Sequence, residues 1–541
     1  MAFVPRGPIS PLVLLITAML VSYYINGSYG QRYSASLIEF TPKEPRIGAQ
    51  YSRLNALELM ETNIKVYSNL TGIAGRQRNE IIVFPEYGLF GIFGYGKHAK
   101  RSEIYPFLEF IPDVSKNWNP CKDKTKIVDT DIQQLLSCLA NTYDIYLVAN
   151  VGEKVLCNDS DRNCPKDGRF QYNTNVVYSS NGTLIAKYRK KHLYKEPHYD
   201  SPSKTEIVTF NSHFGKFGLM TSYDSLFKSP LVDLVELGIR EFLMPNAWEN
   251  SKPLFSSVQW GSSLARGLDI NLLLATVHDV HRKSYGTGIF TENRVREYVS
   301  NQDNVGIQMI RGEIRALSPH FPTKARPVIP KWRKENETKN STMDILGATI
   351  KIKYVGLHRT KDTANVCHNG FCCRLDYEVY DELRIEKYGL AVYKGHVAIL
   401  GHYLEIEMCA FLRCSESCGA PIKRSNTFFE RFKLEGVNFT TQYIYPQVTS
   451  RQKNLDTGEF EHYQDSNSWT YTHGKIVYGP SDARLDSASL IGRVYDKDVV
   501  DHRSKSNGNG GSSRYMNFAS EKYVSSVILI LAVIASMKLS S

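Results

Sequence analysis

Three residues in the first half of the chain carry groups that together could hydrolyse an amide: Glu86, Lys190 and Ser222. A carboxylate can take a proton, a lysine can hold an oxyanion, and a side chain on a sharp strand-to-helix turn can attack a carbonyl. Glu86 follows a proline in Phe84-Pro-Glu-Tyr-Gly88, where Pro85 stops a strand ladder and presents the acid at the strand end. Lys190 lies in Tyr188-Arg-Lys-Lys-His-Leu-Tyr-Lys-Glu196, and Glu196 is a candidate auxiliary acid. Ser222 lies in Phe214-Gly-Lys-Phe-Gly-Leu-Met-Thr-Ser-Tyr-Asp-Ser-Leu-Phe227, an apolar run that breaks into a helix start. There the backbone N–H of Tyr223 can point at the same place as the Ser222 side chain. Taken singly, the Glu86 segment also fits a solvated loop acid and the Lys190 segment a basic surface patch; taken together, Glu86 and Lys190 also fit a buried ion pair that supports packing.

The elements that would position these groups alternate. Glu80-Ile-Ile-Val-Phe84 reads as a strand buried on both faces, residues 129–140 as a helix, and Asp144-Ile-Tyr-Leu-Val-Ala-Asn150 as a strand. Two β-rich runs then flank Asn181-Gly182, which predicts a hairpin because both residues tolerate positive φ. Helices over 231–237 and 255–268 alternate with strands over 241–244 and 272–276, the pattern of a layered α/β domain. A stretch rich in proline and charge, Ser318 to Lys331 and beyond, predicts a linker. After it, aromatic and β-branched runs at 350–354, 375–380, 390–393 and 441–445 predict a β-rich second domain.

In combination the three segments resemble the nitrilase superfamily, and specifically its vanin/biotinidase branch. Ile81-Ile-Val-Phe-Pro-Glu-Tyr-Gly88, Tyr188-x-Lys190-x-x-Leu193-Tyr194 and the run from Phe214 to Phe227 follow that family's three motifs in order. Pro245-Asn-Ala-Trp248, Gly286-Thr-Gly-Ile-Phe290 and Val366-Cys-His-Asn-Gly-Phe-Cys-Cys373 resemble further segments of the branch. The resemblance implies an αββα sandwich over residues 31–320, a linker at 321–345 and a smaller β-rich, disulfide-bearing domain over 346–496. It also implies a Glu–Lys–Cys triad that cleaves small linear amides, such as those of pantetheine or biotin, through an acyl-enzyme. Carried over by position, Glu86 is the base, Lys190 steadies the tetrahedral intermediate, and the Tyr223 N–H is a second oxyanion donor.

The nucleophile position departs from that pattern, because it holds Ser222. A thiol with a pKa near about 8.5 yields its proton to a carboxylate helped by a cation. A serine hydroxyl is far less acidic and normally relies on a positioned histidine. Neither His192 nor any other histidine is placed by the sequence to serve it, and no cysteine lies between Cys164 and Cys367. Ser225 is expected to point elsewhere. The expectation is a fold retained with amide hydrolysis impaired or lost, leaving a protein that either binds a small amide or acyl ligand or acts through its surface. The alternative is an active amide or ester hydrolase that uses Ser222.

The chain ends predict where the protein resides. Arg6, the apolar stretch Leu12 to Val21 and Ser28-Tyr29-Gly30 read as a secretory signal peptide over residues 1–30, against the alternative of a retained signal anchor. Residues 524–541 form a short apolar tail behind a polar spacer at 497–523, with small residues around Asn509. This predicts GPI attachment at Asn509 and display on the outer face of the plasma membrane. A single-pass anchor is the competing reading, for which the apolar run is short against a bilayer core of roughly 30 Å.

Ten cysteines, even in number, fit an oxidising compartment, and the short loop between Cys157 and Cys164 favours that pair. Sequons at Asn69, Asn158, Asn181, Asn336, Asn340 and Asn438 are candidate glycosylation sites and are read as surface loops. The net charge of +11 is scattered, with no basic–aromatic stripe, so nucleic acid is not expected as a partner. His278 and His281 at i, i+3 are read as incidental, and no metal or cofactor is assigned.

Overall fold

The structure is a computed structural model that describes residues 31–92, 100–123, 127–158, 160–300, 306–320, 336–380, 386–414, 418, 425–451, 469–479 and 484–500. The expected signal peptide, Asn509 and the apolar tail lie outside the described residues.

The first half is built on two six-stranded sheets. The first contains β1 (Arg32–Glu39), β2 (Ile81–Val83), β3 (Tyr146–Leu156), β4 (Arg169–Tyr178) and β5 (Leu184–Arg189). The second contains β6 (Thr209–Ser212), β7 (Gly215–Leu219), β8 (Glu241–Asn246), β9 (Asn271–Thr276), β10 (Thr287–Phe290) and β11 (Val295–Val299). β12 (Gln308–Arg315) returns to the first sheet beside β1, giving the orders β12-β1-β2-β3-β4-β5 and β11-β10-β9-β8-β7-β6. The inner strands β1, β2 and β3 run parallel, as do β7, β8 and β9. Of these, β2 (Ile-Ile-Val) and β9 (with Leu272-Leu-Leu-Ala275) carry continuous apolar runs, because both of their faces are covered.

Between the sheets lies a core that includes Tyr33, Leu37, Val83, Val148, Phe217, Leu243 and Leu273. On the outer face of the first sheet pack α1 (Arg53–Arg76) and α2 (Asp131–Tyr143), burying Met60, Tyr67, Ile132 and Leu136. On the outer face of the second packs α3 (Ser257–Leu268), whose Trp260 and Leu264 are fully buried. Ser256 caps α3 by accepting from the Gln259 N–H, and Gln259 answers it in a capping box. The resulting order is helix, sheet, sheet, helix, the αββα sandwich that the resemblance implied.

The second half is β-rich, as expected. β13 (Lys339–Ile345), β14 (Ala348–Leu357), β17 (Tyr388–Ile399), β18 (His402–Arg413), β20 (Ile444–Arg451) and β23 (Arg484–Arg493) form the path of one sheet. β15 (Lys361–His368), β16 (Phe371–Val379), β19 (Phe429–Val437), β21 (Trp469–Thr472) and β22 (Lys475–Tyr478) form the other. Phe411, Phe432, Leu434 and Leu490 are among the residues of the core between them. The cysteines pair as 121–138, 157–164, 367–372, 373–409 and 414–418. The expected Cys157–Cys164 bridge is among them.

Local expectations needed correction in four places. Residues 339–345, assigned to the linker, form β13, whose alternating Met343 and Ile345 bury against the first half. The strand expected over 441–445 begins only at Ile444. In the hairpin between β4 and β5 only Gly182 adopts positive φ, at 87°, while the Asn181 side chain accepts from the Thr183 N–H. The sequons do not all mark loops: Asn69 is exposed on α1 and Asn340 is exposed on β13. Asn158 and Asn181 are exposed, and Asn336 and Asn438 are half-buried.

Candidate active site

The three residues selected by their chemistry converge. Ser222 Oγ hydrogen-bonds to Glu86 Oε2, and Lys190 Nζ donates to Glu86 Oε1 at 2.8 Å. Ser222, Glu86 and Lys190 are all buried, at 3%, 0% and 2% exposure, so their charges interact with little help from solvent. Each comes from the end of a strand: Glu86 follows β2, Lys190 follows β5 and Ser222 follows β7. Lys190 is fixed there by its own N–H, which donates to Asn173 O at 2.8 Å.

Ser222 is held in the left-handed region, with φ 39°, where a residue with a side chain costs roughly 1–2 kcal/mol. The residues on either side of it enforce the turn. Thr221 and Asp224 form a capping box around the short helix Ser222–Leu226, and Asp224 accepts from Tyr188 Oη at 2.7 Å and from the His192 N–H at 2.8 Å. From the far side, Arg493 of β23 donates to Leu226 O at 3.2 and 3.1 Å through two guanidinium nitrogens. The second half of the chain therefore grips the last turn of the element that carries Ser222.

Glu196 joins the site. Its Oε2 accepts from Lys190 Nζ at 2.6 Å and from the Tyr194 N–H at 2.9 Å, while its Oε1 accepts from Asn173 Nδ2 at 2.8 Å and from Tyr87 Oη. Asn173 Nδ2 also reaches Glu86 Oε1 at 2.7 Å. Burial works to raise both carboxyls, yet they diverge. Lys190 and its hydrogen bonds hold Glu196 below its ordinary value. Glu86 stays raised, because burial and the neighbouring Glu196 outweigh the attraction of Lys190. Burial alone would lower Lys190, but Glu196 and Glu86 hold it above its ordinary value, so it remains a cation. One lysine between two carboxylates leaves one negative charge in excess, and Glu86 is the group placed to accept a proton.

That proton changes what the Ser222 hydroxyl meets. Oγ also accepts from the Ala247 N–H at 2.7 Å and donates to Asn246 Oδ1 at 2.9 Å. Asn246 is oriented by its own amide, which donates to Ser257 Oγ at 3.1 Å and Thr276 Oγ1 at 2.9 Å. With Glu86 protonated, every polar group around Oγ is satisfied, and the carboxyl is a donor to Ser222. With Glu86 ionised, Oγ has one proton and two acceptors. No histidine bonds Oγ among the described residues. His192 Nδ1 instead pairs with Asp224 at 2.9 Å, and its ring stacks on Phe227 at a centroid distance of 3.7 Å. Ser225 Oγ turns away, donating to Ser222 O at 2.7 Å.

A small pocket opens over this cluster, walled by Ile92, Tyr194, Tyr223, Trp248, Glu249 and Leu346. Leu346 comes from the turn between β13 and β14, and its N–H donates to Ser251 Oγ at 3.1 Å, so the second half also walls the pocket. Lys190 and Ser222 both line this pocket, so a small molecule entering it would meet the cation and the hydroxyl together. Asn173, Tyr87, Asn246 and Leu346 carried no role in the sequence reading. The usable signal was Asn246, which ends the parallel strand β8, the edge where open α/β sheets collect ligands. His278, singled out by spacing, pairs instead with Glu39 at 2.9 Å, and His281 is exposed.

Two family models match the chain. The carbon-nitrogen hydrolase family model matches residues 48–267, and the vanin C-terminal domain model matches residues 347–498. The chain is similar to the pantetheinase of Canis lupus familiaris, 33% identical over 505 residues, covering 91% of this chain and 94% of that protein. It is likewise similar to the biotinidase of Homo sapiens, 34% identical over 488 residues, covering 83% of this chain and 86% of that protein. Among solved structures, an amidase from Nesterenkonia sp. superposes with a TM-score of 0.38 at 14% identity, covering 53% of this chain and 91% of that one.

Proposed function

The chain belongs to the vanin/biotinidase family of carbon–nitrogen hydrolases, and from that premise we propose a protein that keeps the family's amide pocket while hydrolysing amides poorly or not at all. One observation carries the reading: the group facing Glu86 is the Ser222 hydroxyl, in a site where the nearby His192 is engaged by Asp224. A buried carboxyl with a raised pKa is well matched to a thiol, whose own pKa is near about 8.5. It is poorly matched to an alcohol, which needs a stronger base in the transition state. The ligand class is a small linear amide or its acyl product, the class to which the names pantetheinase and biotinidase refer. The tail sequence supports display on the outer face of the plasma membrane through a GPI anchor at Asn509.

The test compares the purified wild type with Ser222→Cys on pantetheine and on biotin amides. The expected result is a silent or very slow wild type and an active Ser222→Cys variant. A wild type that turns over through a trappable acyl-serine would establish the alternative, a serine amidase or esterase. If neither protein acts, the loss lies in the pocket walls and the explanation from Ser222 is wrong. Release of the protein from intact cells by phosphatidylinositol-specific phospholipase C tests the anchor.

A further inference from the structure

A second cleft, of about 880 Å³, lies between the first half, where β1, β9, β12 and the end of α3 line it, and the second half, where residues 469–473 line it. It shares no lining residue with the pocket over Ser222. Asn271, on its wall, begins β9, whereas Thr276, which orients Asn246, ends the same strand, so the two sites lie roughly 16 Å apart along it.

Its wall holds an unusual set of unmet groups. Arg266, 6% exposed at the last turn of α3, stacks its guanidinium on Trp469 with Cζ 4.0 Å from the ring centroid. The buried Nε and Nη2 of Arg266 and Nε1 of Trp469 have no hydrogen-bond partner among the described residues. Nor does the buried Oδ1 of Asn271. Buried polar groups are almost always satisfied, and leaving one unmet costs about 1–3 kcal/mol, more when it is charged. Burial lowers Arg266 to about 10, so it is still a cation at neutral pH.

The surroundings favour an anion. Five arginines line the cleft, Arg32, Arg266, Arg294, Arg296 and Arg315, against the carboxylates of Asp269, Glu292 and Glu313. Glu313 is already paired with Arg32 at 2.8 Å. Glu292 is close enough to support the charge on Arg266 but does not bond it. Three unmet N–H donors on one wall call for a ligand rich in acceptor oxygens, and the planar fork of a guanidinium matches an oxyanion bidentately. Asn271 Oδ1 complements a hydroxyl on the same ligand.

We propose that this cleft is a second binding site, for a small molecule bearing a phosphate or sulfate ester, with Arg266 seated on Trp469 as the anion-binding group. The site is independent of whether Ser222 is catalytic.

The purified full-length protein is titrated calorimetrically with pyrophosphate and, separately, with inorganic sulfate. Saturable binding by at least one is expected; pyrophosphate alone assigns a phosphate ligand and sulfate alone a sulfate ligand. Arg266→Met is expected to weaken binding by about tenfold or more, the scale of losing a charge-assisted pair. Ser222→Ala is expected to leave it unchanged. Arg294→Ala, at an exposed position that the fold does not need, is expected to weaken binding by a few-fold and decides the question if Arg266→Met fails to fold. Absence of saturable binding by both probes, or affinity unchanged in a folded Arg266→Met or, failing that, in Arg294→Ala, overturns the site.

Discussion

Lys190 lies closer to Glu196 than to Glu86, the residue beside Ser222: Nζ is 2.6 Å from Glu196 Oε2 and 2.8 Å from Glu86 Oε1. One buried cation therefore serves two buried carboxyls, and the site's protonation depends on how it is shared. Glu196, which also takes the Tyr87, Asn173 and Tyr194 donors, is held as the anion. Glu86 is left as the carboxyl that readily carries a proton.

Removal of the cation should therefore destabilise the fold, whatever Ser222 does. Lys190→Met leaves two carboxyls buried without a counter-charge, and breaking a buried pair in this way costs about 3–5 kcal/mol. In the variant both carboxyls have raised pKa values, so its native state binds protons more tightly than the unfolded chain. Stability is then regained as pH falls and lost as it rises. Ser222→Ala strips a partner from the buried Ala247 N–H and Asn246 Oδ1 and should cost less, about 1–3 kcal/mol. Urea unfolding at acidic and neutral pH measures both; a Lys190→Met variant as stable as wild type would show that the cation is not what holds the cluster.

Glu196→Gln separates the two carboxyls. Glu196 contributes to raising Glu86, so replacing it by a neutral amide lowers Glu86 toward its ordinary range. A base works when ionised, so activity rises as pH climbs through its pKa. Measured in a Ser222→Cys background, the acidic limb of kcat/KM should move to lower pH when Glu196→Gln is added. A limb that stays in place, or moves up, contradicts the assignment of Glu86 as the titrating base.

The legible part of the site obeys a physical rule. Glu86, Lys190 and Ser222 stand where apolar runs end, and a polar residue at the mouth of a buried strand reads as chemistry. Asn150, Asn173 and Asn175 were invisible because they sit inside strands, where a polar residue ordinarily reads as solvent-facing. Here they are buried and bond across β3 and β4, with Asn150 Nδ2 donating to Asn173 Oδ1 at 2.6 Å and Asn175 Oδ1 at 2.9 Å. Arg493, at the end of β23, reads locally as a strand-end cation; its function depends on Leu226, 267 residues away. Leu346 walls the pocket only because of tertiary packing, which no local pattern reports. The hairpin at Asn181-Gly182 was legible in place but not in form, since only the glycine needs positive φ.

Arg493 makes the second half of the chain part of the site. It is fully buried, pairs with Asp498 Oδ2 at 2.6 Å, and donates to Glu405 O at 2.6 Å as well as to Leu226 O. Arg493→Met strips the donors from two buried carbonyls and should cost roughly 2–5 kcal/mol. Because Leu226 ends the helix that Ser222 begins, the same change in a Ser222→Cys background should lower kcat as well. Full activity in a destabilised but folded double variant would show that the turn at position 222 holds its shape without this anchor.

Glu241 gives the fold a pH dependence that is separate from the Glu86–Lys190–Glu196 cluster. It is buried at the start of β8, and desolvation lifts its pKa from 4.5 to about 7, although the Leu317 N–H, Tyr33 Oη and Asn271 Nδ2 all donate to it. Between those two values the native state keeps a proton that the unfolded chain has released. The native state therefore binds more protons, and stability falls as pH rises through this window. The full span corresponds to about 3 kcal/mol. Glu241→Gln cannot titrate, so its stability relative to wild type should improve by up to that amount between pH about 5 and about 8. Chemical denaturation of both proteins across the range measures the difference. A difference that stays flat with pH would show that Glu241 is ionised throughout, its burial compensated by the three donors.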